Sequence, residues 1–125
     1  MIRDVTKYDV FEQSDQLVLA VCRLTGQFPK SETFGLVAQM RRAAYSIPMN
    51  LAEGAARTSH REFARFVDMA LGSCEEVRYQ LHLAGALGYG RSADLAKMQE
   101  HYEDVKRMLA NLRSAVAKGQ WHEKR

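Results

Sequence analysis

Five arginines, Arg41, Arg42, Arg57, Arg61 and Arg65, fall in one stretch with only Glu53 and Glu62 to oppose them. Arginine suits phosphate because its planar guanidinium donates two parallel hydrogen bonds in a fixed fork. The five are therefore candidates for contacting an acidic partner, RNA or a nucleic-acid-binding protein complex foremost. The chain has a formal net charge of +3, and this stretch alone accounts for it. So mild an excess permits nucleic-acid association without requiring it. The competing reading is that these arginines are merely solvated or paired with glutamate.

Catalysis requires a constellation, and the other chemistry-bearing residues do not form one. His60, His82, His101 and His122 lack the spacing of a helical metal pair. Neither Glu75 nor Glu76 has the histidine three residues on that di-iron bundles use. There is no phosphate-binding loop and no GxGxxG. Cys22 and Cys74 lie in helical patterns without a CxxC, so they are read as reduced packing residues rather than nucleophiles or a disulfide. No catalytic residue, metal or cofactor is expected. A site formed between subunits stays open as an alternative.

The elements that must position the arginines are all helical. The chain has 125 residues, 46% hydrophobic and 26% charged, with two prolines, which fits one globular domain spanning 1–125 rather than a disordered chain. Asp9 with Glu12 resembles a capping box, and Val10, Leu17, Val21 and Leu24 mark a helix over 10–26. Ser31 is a cap candidate for a second helix over 32–57, whose apolar positions are Phe34, Val37, Met40, Ala44, Ile47, Leu51 and Ala55. Ser59 with Glu62 opens a third over 60–87, carrying Phe63, Val67, Ala70, Cys74, Val77, Leu81 and Ala84. Ser92 is the candidate cap of a fourth over 92–117, carrying Leu95, Met98, Tyr102, Val105, Leu109, Leu112 and Val116, followed by a frayed tail over 118–125. Short links between long amphipathic helices predict an all-α, antiparallel up-and-down four-helix bundle.

MIRDVTKYDVF has no apolar core, so it does not read as a secretory signal, and no apolar run reaches the roughly 20 residues that span a bilayer. A cytoplasmic protein with no membrane association is expected.

The second helix carries more apolar surface than one bundle can cover. Val37, Met40, Ala44, Ile47 and Leu51 share the core face. Ala38, Tyr45, Pro48, Met49, Ala52 and Ala56 gather on another, small or apolar where a surface helix is polar. Self-association is one outlet, with Ala38, Tyr45, Met49, Ala52 and Ala56 as interface candidates, and deeper burial in the same bundle is the other. Pro48 should kink the helix, and Gly54 should let another backbone come close, with Gly72 and Ser73 as the opposite side. A third, polar stripe comprises Gln39, Arg42, Ser46, Asn50, Glu53 and Arg57. It reads either as a solvated face or as a register-fixing network, in which Glu53 pairs with Arg42 or Arg57 and Asn50 bonds the carbonyl freed by Pro48.

These residues carry a resemblance. FPKSETFGLVAQMRRAAYSIPMNLAEGAARTSHREFARF, followed by GSCEEVRYQLHLAGALGYG, resembles the four-helix bundle family called 23S rRNA intervening sequence proteins. RRAAYSIPMNLAEGAAR is the most specific part, with its Arg-Arg-Ala, Ile-Pro-x-Asn and Ala-Glu-Gly-x-x-Arg elements, matched here by Arg41, Arg42, Pro48, Asn50, Glu53, Gly54 and Arg57. The resemblance implies an up-and-down bundle assembled as a ring of five. It also implies kinship with accessory proteins of diversity-generating retroelements, which partner a reverse transcriptase and bind nucleic acid. Those relatives are more strongly basic than this chain. Pro48, Asn50, Glu53 and Gly54 are then read as the structural motif of the second helix.

Two functions are expected from different classes. One is a non-enzymatic homo-oligomeric helical module that binds RNA or a ribonucleoprotein, such as a reverse transcriptase complex, through its repeated arginines. The other is a protein-interaction scaffold with no nucleic-acid role, in which the mild charge serves solubility.

Overall fold

The apolar stripes close on one another. The computed structural model describes residues 3–120, in which α1 (Asp9–Thr25), α2 (Ala38–Ala55), α3 (His60–Ala86) and α4 (Ser92–Ala117) form a four-helix bundle with no strand among the described residues. Its core takes Leu17 and Val21 from α1, Met40, Ile47 and Leu51 from α2, Phe63, Val67 and Val77 from α3, and Tyr102, Val105 and Leu109 from α4, all buried. Each such aliphatic or aromatic side chain contributes about 1.5–3 kcal/mol of transfer free energy. The sequence periodicity named these residues because a stripe of period 3.6 has one dry side.

The helix starts differ from expectation in three places. Tyr8, not Asp9, is the N-cap of α1 and offers no side-chain cap; Asp9 and Glu12 lie in the first turn, where carboxylates face the positive end of the helix dipole. Ser31 does not cap the second helix. Val37 is the N-cap of α2 without a side-chain bond, and Glu32 caps the turn Thr33–Val37 ahead of it, accepting the Leu36 N–H at 3.3 Å while its other oxygen accepts the Tyr89 hydroxyl at 2.8 Å. Arg91 is the N-cap of α4 without a side-chain bond, so Ser92 is already helical. Only Ser59 caps as expected, its hydroxyl accepting the Glu62 N–H at 3.1 Å.

Phe34 is the clearest departure from the expected core. Thr33–Val37 form a wide π-type turn broken at Gly35 (φ −108°, ψ −112°), so the helical phase set by α2 does not extend back to Phe34. Phe34 is 95% exposed, and Val37 is the first residue of the stripe to be buried.

The two last helices end in the same way. Gly88 (φ +77°) follows α3, with Tyr89 N–H donating to Ala84 O at 2.8 Å and Gly88 N–H to Gly85 O at 3.1 Å. Gly119 (φ +70°) follows α4, with Gln120 N–H donating to Ala115 O at 2.7 Å and Gly119 N–H to Val116 O at 2.9 Å. Both are Schellman closures, which need a left-handed residue that glycine adopts without a side-chain clash. Gly119 and Gln120, expected in a frayed tail, are therefore tied to α4. The rest of that tail, with His122, lies outside the described residues.

α2 runs unbroken through Pro48, which is buried and does not sit on the exposed apolar face. The Asn50 side chain donates to Ser46 O at 2.7 Å, not to the Ala44 carbonyl whose usual donor proline lacks. Gly54 does bring a neighbour close, but not the expected one. A Cβ at Gly54 would stand 2.6 Å from Phe66 Cβ and 2.9 Å from Phe63 Cδ1, so α3 presses on α2 through two aromatic residues. At Gly72 a Cβ would meet nothing within 4 Å, and Ser73 instead hydrogen-bonds Ser46.

Candidate nucleic-acid interface

The structure divides the five arginines. Arg41 is half-buried and faces inward. Its Nε donates to Thr25 Oγ1 at 2.9 Å and its Nη2 to Cys22 O at 3.2 Å, placing a cation against the last carbonyls of α1. Much of its donor fork is thereby spent within the fold. Arg42 is exposed on α2, but 15 residues before Arg57, a separation of about 22 Å along a helix at 1.5 Å per residue.

Arg57, Arg61 and Arg65 come together where α2 hands over to α3, and all three are exposed. Arg57 lies with its guanidinium 4.8 Å from the Phe66 ring centroid. Stacking of this kind holds the charged plane while leaving its edge, which carries the N–H donors, free to bond. Arg61 and Arg65 are one helical turn apart on α3, so both project from the same face.

What surrounds these three sets them apart. The other arginines of α3 and α4, together with Lys106, meet carboxylates: Arg78 bonds Glu75 at 2.8 Å and Glu103 at 3.4 Å, and Lys106 reaches Glu75 at 3.3 Å. Arg107 pairs with Asp104, and Arg113 takes Asp68 at 2.9 Å. The Arg78 hydrogen bond holds the Glu75 carboxyl below its ordinary range. Asp68, three residues beyond Arg65, is thus engaged by α4. Among the described residues no ion pair involves Arg57, Arg61 or Arg65, nor does one join Glu53 to Arg42 or Arg57, so at Glu53 the stripe does not form the network that is one of its two readings.

Two members of this corner carried no sequence signal. Phe66, the platform under Arg57, lies off the α3 core stripe. Arg3 lies in irregular chain ahead of the short turn Val5–Lys7, yet its guanidinium bonds the carbonyls of Ala55 and Arg57 and lies 4.8 Å from the Phe63 centroid. It fixes the backbone from which Arg57 projects.

The face proposed for assembly is open. Ala38, Tyr45, Met49, Ala52 and Ala56 are all exposed, Tyr45 by 42% and Met49 by 54%. Ser46, bonded to Ser73 of α3, and Asn50 stay partly buried, so the polar stripe splits into a packed half and a solvated half containing Gln39, Arg42, Glu53 and Arg57.

The groups considered for other chemistry are dispersed. Cys74 is fully buried, donates to Tyr102 O at 3.4 Å, and burial pushes its thiol up to about 11. His60 faces Arg3 at 3.5 Å, His82 lies against Tyr79, and His101 pairs with Gln13 at 2.7 Å. No cluster of three residues able to hold a metal occurs among the described residues. No described helix is long and apolar enough to cross a membrane.

Comparison with known proteins places this geometry. The family model described as 23S rRNA-intervening sequence protein matches residues 6–111. A solved structure from Bacteroides thetaiotaomicron VPI-5482, described as a protein with unknown function from the S23 ribosomal protein family, is similar with a TM-score of 0.78 and 19% identity. The match covers 84% of this chain and 95% of that one, and at such identity it shows a shared fold. No protein of curated function matches.

Proposed function

Since the chain belongs to the 23S rRNA-intervening sequence protein family, we propose that it is a non-enzymatic, homo-oligomeric helical module that binds RNA, free or within a ribonucleoprotein such as a reverse transcriptase complex. One observation carries the reading: Arg57, Arg61 and Arg65 are exposed without an ion pair, while Arg78, Arg107 and Arg113, the other arginines of α3 and α4, are matched to carboxylates. A cationic cluster left unneutralised on a short arc fits a polyanion better than it fits solubility, which scattered charge serves equally well.

Assembly is the second half of the proposal. The protomer is an antiparallel up-and-down bundle, supported by the order of its contacts: along α2, Ser46 meets Ser73 and Gly54 meets Phe66 and Phe63, so partner numbers fall as α2 numbers rise. The exposed Tyr45 and Met49 side supports a homo-oligomer, taken as a ring of five in a cytoplasmic protein. Five copies multiply a modest charge about fivefold, and several weak phosphate contacts then add through effective concentration.

The test is binding of purified protein to fluorescent single-stranded RNA, structured RNA and duplex DNA across a salt series, with mass measured by light scattering in the same samples. The reading expects binding by an assembled species with a steep negative salt slope. Replacing Arg57, Arg61 and Arg65 together by glutamine should reduce that slope by about 2 for each protomer engaged on a single strand, since each phosphate contact contributes about 0.7. Arg41→Gln should leave the slope unchanged and lower stability. Binding insensitive to salt, or intact in the triple variant, overturns the proposal and favours the scaffold alternative.

A further inference from the structure

The seam between α1 and α4 is not fully closed. It holds a groove of about 380 Å³ floored by Leu17, Ala20, Leu24 and Met98, with Arg23 on the α1 wall and Lys97 on the α4 wall. The physical cause lies in the residues. Ala20 is too short to reach α4, while the Gln13–His101 hydrogen bond at 2.7 Å ties the helices at one end of the gap. The groove opens to solvent along its length, a poor enclosure for a small molecule, whose sites bury 70–90% of the ligand as a rule.

Its shape suits a helix instead. Leu17, Ala20 and Leu24 recur at steps of three and four on α1, so the floor runs about 10 Å, or two helical turns. A helix laid beside it would present apolar residues at matching steps. The walls specify the charge of that helix. Arg23 and Lys97 are exposed and take part in no ion pair among the described residues, in contrast to the matched bases Arg78, Lys106, Arg107 and Arg113. Asp94 is the one carboxylate lining the groove. One cation from each helix lines an apolar floor, so the complementary occupant is apolar along its centre and acidic along both edges.

We propose that the α1–α4 groove docks an acidic amphipathic helix of about two turns from a partner protein. The site is separate from the α2–α3 corner that carries Arg57, Arg61 and Arg65, and neither reading depends on the other.

The experiment uses the full chain, isotopically labelled, and two synthetic amidated helices of about 15 residues. One carries a leucine stripe at steps of three and four flanked by glutamate; in the other every glutamate is lysine. The acidic helix should shift amides of residues 17–27 and 94–101, and the lysine helix should leave them in place. Arg23→Glu with Lys97→Glu should weaken binding about tenfold, since two partly exposed charge pairs are lost and reversed. Ala20→Phe should abolish it by filling the floor. Were that variant misfolded, the charge-reversed pair, altered only at exposed positions, would decide alone. Equal binding of both helices, shifts confined to the arginine corner, or no groove shifts at millimolar peptide would overturn the proposal. So would groove shifts that depend on protein concentration alone, which would make a second copy of the chain the occupant.

Discussion

Arg3 Nη1 donates to the carbonyl oxygen of Ala55 at 3.2 Å, across 52 residues of sequence, and closes the C-terminal end of α2 with a cation. The same guanidinium bonds Arg57 O and lies over Phe63, and Arg3 is only 9% exposed. Such a contact satisfies carbonyls that a helix end leaves without donors and opposes the negative end of its dipole.

Replacing Arg3 by alanine should therefore lower stability by about 1.5–3 kcal/mol, the range for hydrogen bonds to charged groups. Urea unfolding should show a reduced midpoint with an unchanged slope. Native-state hydrogen exchange should speed up around residues 55–63 before it changes elsewhere. Arg3→Lys should recover only part of the loss, because an ammonium does not supply the planar fork. A midpoint equal to wild type would mean that the N-terminal turn contributes no restraint at this corner.

Glycines 54 and 72 should respond to alanine with opposite signs. In an open helical position the exchange favours folding by roughly 0.5–1 kcal/mol, and Gly72 is such a position, with nothing within 4 Å of the added Cβ. At Gly54 the Cβ would stand 2.6 Å from Phe66 Cβ, part of a side chain fixed close to its own backbone, so α2 and α3 must move apart. Overpacking of this kind costs about 1–3 kcal/mol and outweighs the propensity gain. Thermal unfolding of the two variants checks the pair, and a stabilised Gly54→Ala protein would contradict the close approach.

The sequence made the core legible and left much of the site hidden, for one physical reason. A stripe of period 3.6 reveals which side of a helix is dry, hence Met40, Val67 and Leu109, but not which neighbour lies across it. Gly54 announced a close approach; the partners turned out to be Phe63 and Phe66 rather than Gly72 and Ser73, because register depends on how the chain turns between α2 and α3. Arg41 and Arg42 are adjacent in sequence, yet one bonds α1 and the other faces solvent, since about 100° of rotation separates them. Phe34 fits the stripe on paper, and only the backbone at Gly35 shows that the stripe has ended. Arg3 belongs to no periodic segment, so nothing local could have joined it to Ala55.

Alkaline pH should destabilise the protein in a way that reports the burial of Cys74 and Tyr102. Burial pushes the Cys74 thiol from 9.0 up to about 11 and pushes the Tyr102 hydroxyl above its ordinary 10.0. In each case the folded state holds its proton after the unfolded chain has released it. The stability is therefore complete below pH 9 and is lost as pH rises through 9 to 11 for the thiol and from 10 upward for the hydroxyl. The slope is about 1.4 kcal/mol per pH unit for each group at most. Urea midpoints at pH 8 and 10.5 measure the fall. Tyr102→Phe should flatten the part above pH 10 and cost nothing at pH 7, because the Tyr102 hydroxyl has no hydrogen-bond partner among the described residues. Equal midpoints at the two pH values would show that neither group is held dry.

Charge placed on the exposed face of α2 should separate assembly from folding. Tyr45 and Met49 keep about half their surface in water although both belong to an ordered helix, whereas Ile47 and Leu51 of the same helix are fully buried. The two sets lie on different sides of one helix, so a substitution on the exposed side leaves the bundle core untouched. Tyr45→Glu and Ala52→Arg should each keep the far-UV circular dichroism of the wild type and shift its thermal midpoint little, while light scattering reports a smaller mass. Burying an unpaired charge in an interface costs several kcal/mol, enough to disperse an oligomer at micromolar concentration. Ile47→Glu is the contrasting case, since it should unfold the protomer and remove helicity with it. If both surface variants retained the wild-type mass, the second side of α2 would not be the assembly surface. The exposed apolar residues of the other helices, Leu19 and Tyr79 among them, would then be next to test by the same substitution.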